Sequence, residues 1–306
     1  MILLYHLVFP DSTPQDAWNA GLILRLSYFK RQLLWLKKNY SILSLDDYMN
    51  ALSIGESEVE GKYAITFDDG YRNVIDLVCP FLIEEGIPAT FFVTTSHLED
   101  HELLWFVYIN ALCSEKCYKS IEIEGISFPL KTYKSSLKAW ERLIKLARDS
   151  KNPIEYVRAL AIKYPLTAQI ISKYEGITEN QIQRIGKSPF ISLGGHTHKH
   201  PYLDQITKDE QLSQILINKE ILESLSGKTI KFFAYTGGLY NQDTLDVVKK
   251  LGFSAAFATE PRTIGNDICY EMPRVDIYSP SLIKFKVKAL GYQKVARKFL
   301  LYTGIK

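Results

Sequence analysis

Apolar positions along this chain switch repeatedly between two periods. Short apolar runs at 2–5, 63–67, 90–93, 190–193, 230–235, 254–257 and 272–277 read as strands buried on both faces. Helical stripes lie between them. One spans 16–39 with Leu22, Leu26, Phe29, Leu33 and Leu36. Another carries Val74, Leu77, Val78, Phe81 and Leu82, contains Pro80 as a bend or break, and stops at Gly86 before Pro88. Thr207-Lys208-Asp209-Glu210 is a capping-box pattern that opens a helix to about Leu225, and 241–251 reads as a helix closed by Gly252. Such alternation predicts an α/β fold with a parallel sheet covered by helices, as a barrel or an open sheet. Residues 97–187 are mostly helical and polar, with one hairpin pattern at 121–130. They read as an insertion within a single domain, 1–306, rather than as a second domain.

Composition narrows the class without choosing a function. The 306 residues are 46% hydrophobic and 23% charged, which excludes a disordered chain, a collagen and a disulfide-rich miniprotein. A net charge of +3 does not argue for nucleic acid, and no nucleic-acid partner is expected. Cys79, Cys113, Cys117 and Cys269 form no CxxC motif. Cys113 and Cys117 would share a helix face, but buried thiols in a reducing compartment are the simpler reading. No secretory segment and no apolar run of roughly 20 residues is seen, so the expected location is the cytoplasm.

Two segments carry the chemistry. In Thr66-Phe67-Asp68-Asp69-Gly70, two carboxylates follow a buried strand, where α/β folds gather ligands. Adjacent carboxylates repel unless a cation sits between them or one is protonated. One Asp on a metal and the other acting as base resolves the conflict; a helix cap plus a first-turn acid is the plain alternative. In Gly194-Gly195-His196-Thr197-His198-Lys199-His200-Pro201, three of the six histidines fall within five residues. A helical turn puts His196 and His200 on one face, whereas an extended strand would align all three. The flanking glycines and Pro201 favour a turn, hence His196 and His200 as ligands. Two imidazoles and one carboxylate make the open three-ligand set of a catalytic zinc site.

These segments, Asp68-Asp69 in TFDDG and His196-Thr197-x-x-His200, resemble the polysaccharide deacetylases, the NodB-homology family of carbohydrate esterase family 4. Tyr5-His6 is similar to the YH opening of the exopolysaccharide branch, and 29–47 to its first helix and second strand. Ile87-Pro88-Ala89-Thr90-Phe91-Phe92-Val93 is similar to its GxPATFFV segment, and Phe233-Ala234-Tyr235 with Tyr240-Asn241 to FAYPYG and YN. The likeness covers about 1–95 and 188–278. It implies a distorted (β/α) barrel of about seven strands, Asp68 as catalytic base, and Asp69, His196 and His200 as ligands of a divalent metal, by default zinc. It also implies hydrolysis of an N-acetyl group on an amino sugar. Two departures stand out. The third motif reads Ala234-Tyr235-Thr236-Gly237-Gly238 without its proline, and no late Leu-x-His supplies a general acid. The acid then falls to His6, His198, metal-bound water or the insertion.

Further candidates for the substrate side are His6, Tyr235, Thr236, Arg274 and Trp105. An arginine at 274 near Asp68 would keep it ionised; a surface ion pair is the alternative. His6 is either a satisfied strand-end histidine or a site residue beside the metal. Trp105 is either a sugar-stacking platform or a core position. Residues 281–306 hold seven Lys and Arg and no acid, interleaved with apolar residues, as in an amphipathic helix on an anionic membrane face. The expected partner is an N-acetylated saccharide: a sugar nucleotide, a lipid-linked saccharide or a glycan of bacterial surface-polysaccharide assembly. A catalytically inactive saccharide-binding module on the same barrel is the second reading.

Overall fold

The computed structural model describes residues 1–13, 23–98, 103–150, 152–265 and 267–292. Eight parallel strands run in the order Met272–Pro273, Ala255–Ala258, Phe232–Ala234, Ile191–Gly195, Ala89–Val93, Lys62–Phe67, Ile2–Tyr5, Val275–Asp276. The two ends of that order are separated in sequence by Arg274 alone. The single strand expected at 272–277 is therefore two short ones that serve opposite edges. Met272 and Pro273 pair with Phe257 and Ala258, while Val275 and Asp276 pair with Leu3 and Leu4. Backbone bonds from Arg274 N to Ala258 O and from Ile277 N to Leu4 O, both 2.8 Å, hold the bridge. One segment thus draws both edges together, and the sheet becomes a distorted, nearly closed (β/α) barrel of the NodB type.

Strand periodicity explains the filling. Leu3, Tyr5, Ile65, Phe67, Phe91 and Val93 point outward under the helices in the main core. Their alternates, among them Ile2, Ala64, Phe92, Ala234 and Phe257, form a second cluster inside the barrel. Phe92 meets Phe257 there at 5.6 Å between ring centroids, although their strands are not neighbours. Gly194 is small because Phe92 needs the space: a Cβ at 194 would stand 2.4 Å from the Phe92 ring.

The helices follow the expected stripes, with adjustments at their ends. The first spans Leu26–Asn39; Ile23–Arg25 is instead a strand paired with Leu7–Phe9, and the rest of the expected 16–39 helix lies outside the described residues. Pro80 lies inside Arg72–Glu84, exposed to solvent, and does not end the helix. Thr207 and Asn241 cap Lys208–Ser226 and Gln242–Lys250 as capping boxes. Within 97–187, helices Trp105–Ser114, Tyr133–Asp149 and Pro153–Lys163 and the hairpin Ser120–Ile123 with Ile126–Pro129 share a core of their own. Glu179–Gly186 differs: Ile182 and Ile185 join the main core, so it is the barrel's own crossover helix into Ile191–Gly195. Of the tail, Leu282–Ala289 is a helix anchored by Phe285 and Ala289, with Ile283 and Val287 exposed; 293–306 lie outside the described residues. Among the described residues no helix is long and apolar enough to cross a membrane. Cys113 is buried and Cys117 exposed, and neither belongs to a metal-ligand cluster there.

Candidate active site

The chemistry gathers where four strands end. After Phe67 the chain turns sharply, with Asp69 at φ 73° and Gly70 at φ 77°. Two successive left-handed residues swing both carboxylates to the same side instead of opposite sides, at an expense of order 1 kcal/mol or more for the non-glycine residue. Gly70 is required twice over: by its φ, and because a Cβ there would meet Val93 Cγ1 at 2.9 Å. Asp68 is gripped by Arg274 through two parallel bonds of 2.6 Å, one to each carboxylate oxygen, with both side chains buried. Burial alone would raise the Asp68 pKa. The Arg274 guanidinium, with His196 behind it, outweighs that and holds the carboxyl below its ordinary range.

The histidine segment is neither helix nor strand. Thr197 and His200 adopt φ 61° and 54°, and these two left-handed turns, rather than the expected helical turn, bring His196 and His200 together. The loop is tied at nearly every residue. Asn218, in the Lys208–Ser226 helix, accepts from His196 N at 3.1 Å and donates to Thr197 O at 2.7 Å and Val93 O at 2.8 Å. The His200 N–H donates to Thr197 Oγ1, and the Trp105 indole donates to His200 O at 3.1 Å.

Asp69, His196 and His200 converge. Each histidine Nε2 lies 3.5 Å from Asp69 Oδ1, and the three donor atoms fall within 4.8 Å of one another. Two donors bound about 2.0–2.2 Å from a tetrahedral ion stand roughly 3.3–3.6 Å apart, so the spacing fits a small divalent cation. His196 Nδ1 lies 2.8 Å from Ala234 O, which fixes its proton there and leaves Nε2 a lone pair for a metal. Asp69 is held well below the ordinary carboxylate range: burial opposes this, but the two imidazoles beside its carboxylate prevail. Burial lowers the His200 pKa; for His196 the neighbouring Asp68 and Asp69 charges outweigh burial and raise it. All of these groups open onto one cavity of about 370 Å³.

This geometry has relatives. The sequence profile described as polysaccharide deacetylase matches residues 56–256, more than half of the chain. The chain belongs to the polysaccharide deacetylase family. YxkH of Bacillus subtilis (strain 168), provisionally named a polysaccharide deacetylase, is 28% identical over 107 residues, 35% of this chain; the match spans 38% of that protein. The fold is shared with the Streptococcus pyogenes deacetylase PplD solved with acetate, at TM-score 0.59, 20% identity and coverage of 92% of this chain and 95% of that one. It is shared with the Bacillus cereus polysaccharide deacetylase BC0361 at TM-score 0.58, 18% identity and coverage of 94% and 67%. A de-N-acetylase from Aggregatibacter actinomycetemcomitans gives 0.57, 15%, 92% and 97%.

Not every expected residue of this deacetylase fold reaches the cavity. His6, just after the first strand, lines it beside Asp68 and Asp69. His198 turns away, with Nδ1 3.0 Å from Thr95 Oγ1. Trp105 does not line this cavity: it is buried against Tyr202 and holds the His200 carbonyl. Thr236 is fully buried and gives its hydroxyl to Pro201 O. Tyr235 contributes ring surface only, because its N–H is bonded to Phe257 O and its hydroxyl to Tyr270 O. The third motif meets the cavity through Gly237 and Gly238 instead. Sequence reasoning missed Asn218, Tyr202, Trp140, Arg148 and Asp276. None of them left a signal in the sequence: Asn218 is a fully buried polar residue, but its helix reads as an ordinary one.

Replacing Asn218 by Leu strands His196 N–H and two carbonyls without partners. At roughly 1–3 kcal/mol per buried unsatisfied group, urea unfolding should show a loss of at least about 2 kcal/mol. Titration with Zn2+ should show weakened binding as the His196 backbone loosens; unchanged stability and affinity would remove Asn218 from this role.

Proposed function

We propose that this chain is a metal-dependent N-deacetylase that hydrolyses the acetamide of an amino sugar to acetate and a free amine. The observation that carries the proposal is the buried Asp69–His196–His200 triangle beside an Asp68 held ionised by Arg274, all on one cavity. The donor set suits zinc. A divalent cation bound there supplies Lewis acidity to the acetamide carbonyl and to a water.

The protein's own residues do the rest. Asp68 accepts a proton from the attacking water as the new C–O bond forms. Arg274 positions that carboxylate and keeps it charged. As the C–N bond breaks, the departing nitrogen needs a proton. Among the described residues, His6 is the histidine outside the ligand set that lines the cavity, and it takes the role that a late Leu-x-His would fill. The backbone of Gly237 and Gly238 forms the opposing wall. We assign the reaction to surface-polysaccharide assembly in bacteria, on a sugar nucleotide, a lipid-linked saccharide or a glycan. Exposed Ile283 and Val287, with Lys284 and Lys288 on the same helix, support contact with an anionic membrane.

Acetate release from N-acetylated sugar nucleotides and lipid-linked saccharides tests the reaction. Asp68→Asn should lose about 10²–10⁴-fold in rate with its metal retained, while His196→Ala should lose the metal. A metal-free, inactive wild type would favour the saccharide-binding module.

Arg274→Gln tests the base. An ionised Asp68 is needed for activity, so activity falls as pH drops through its pKa. Without the guanidinium, burial raises that pKa, and the acid limb of kcat/KM should move to higher pH. An unmoved limb would show that another group is the base.

Sedimentation with acidic liposomes at low salt should carry the protein down, and Ile283→Glu with Val287→Glu should release it. A wild type that stays in the supernatant would rule out the membrane contact.

A further inference from the structure

The insertion supplies one wall of the catalytic cavity, and that wall carries a cation. Helix Tyr133–Asp149 presents Trp140, Ile144 and Arg148 to the cavity that holds Asp68 and His196. Arg148 is exposed but not loose. Its Nε and one terminal nitrogen donate to the Tyr202 hydroxyl at 3.1 and 2.9 Å, and its guanidinium lies 4.9 Å from the centre of the Tyr202 ring. Tyr202 packs edge-on against Trp105, which holds the His200 carbonyl. The Tyr202 ring also fills the space beside Gly237, where a Cβ would approach it to 2.7 Å. Two aromatic rings therefore fix this guanidinium relative to the metal-ligand loop and to the third-motif wall.

The charge around it is unbalanced. Arg274 is neutralised by both oxygens of Asp68, and Asp69 lies between two histidines. Arg148 has only a neutral phenol as partner and forms no ion pair among the described residues, although Asp276 lines the same cavity. A favourable place at a helix C-terminus accounts for a positive charge. It does not account for a clamp that holds the planar fork at the cavity with donors to spare. Such a fork matches two oxygens of a phosphate or a carboxylate. The cavity, about 370 Å³, lies at the small end of ligand sites.

Building on the deacetylase reading, we propose that Arg148 binds an oxyanion carried by the amino-sugar substrate, so that the enzyme selects an anionic saccharide over a neutral one. The test titrates the metal-loaded full chain with N-acetylglucosamine, its 1-phosphate, its uridine diphosphate ester and N-acetylmuramic acid, with acetate followed in parallel. An anionic form should bind roughly 10- to 100-fold more tightly than the neutral sugar, with a preference that weakens as salt rises. The form that binds most tightly distinguishes a monophosphate, a nucleotide carrier and a carboxylate. Arg148→Gln should abolish most of the preference, Arg148→Lys should restore part of it, and Tyr202→Phe should reduce it by freeing the guanidinium. Equal affinity for neutral and anionic forms, no binding of any of them, or a preference that survives Arg148→Gln would each overturn the proposal. A preference without acetate release supports the oxyanion site and counts against the deacetylase reading; release without preference does the reverse.

Discussion

A single buried ion pair organises this protein. Arg274 donates two short, parallel hydrogen bonds to Asp68, and both side chains are almost wholly buried at the wall of the cavity. Removing two charges from water is expensive, and only good geometry offsets it. Here the geometry comes from the barrel itself. Asp68 ends the strand Lys62–Phe67, and Arg274 sits between the two short strands that join the sheet's edges. Its guanidinium also lies 5.1 Å from the centre of the Phe92 ring, inside the barrel. Closing the sheet and charging the carboxylate are consequently one structural event. A residue that merely filled the same volume would close the barrel over a carboxylate that burial drives toward protonation.

The rest of the site is built from backbone that resists its own conformation. Asp69, Thr197 and His200 are all left-handed without being glycine. Such conformations persist where surrounding bonds over-determine them. Asn218, the Thr197 hydroxyl and the Trp105 indole provide those bonds, and each fastens main chain rather than a ligand atom. The imidazoles and carboxylates are thereby aimed by the loops that carry them, leaving their outer atoms available. Pre-organisation of this kind places the reorganisation in folding instead of in each turnover.

Much of this was legible in the sequence, for physical reasons that differ between elements. Buried parallel strands are continuous apolar runs, so Tyr63–Phe67 and Thr90–Val93 announced themselves. The DDG turn and the histidine cluster were visible because few local structures need those residue types side by side. What could not be read depended on partners distant in sequence. Nothing local distinguishes Asn218 from a surface asparagine, or Arg148 from a solvated helix end. Trp105 looked equally suited to stacking a sugar and to filling a core; its packing against Tyr202, far along the chain, decided the matter. The run at 272–277 looked like one strand because alternation is blind to which edge each half serves. Ile23–Arg25 passed for helix because its apolar residues continue the stripe of the helix that follows.

Arg274 stands 206 positions after its partner, as its contact with Asp68 records. Synthesis runs from the N-terminus, and long-range contacts form only once both sides exist. A nascent chain that has already released both aspartates and all three clustered histidines still lacks the counter-charge. Its barrel is open along one side, and Asp68 is without the group that keeps it ionised. The ion pair therefore forms only once this arginine has been made, and fragments that stop short of it carry the family's aspartate and histidine motifs without that counter-charge.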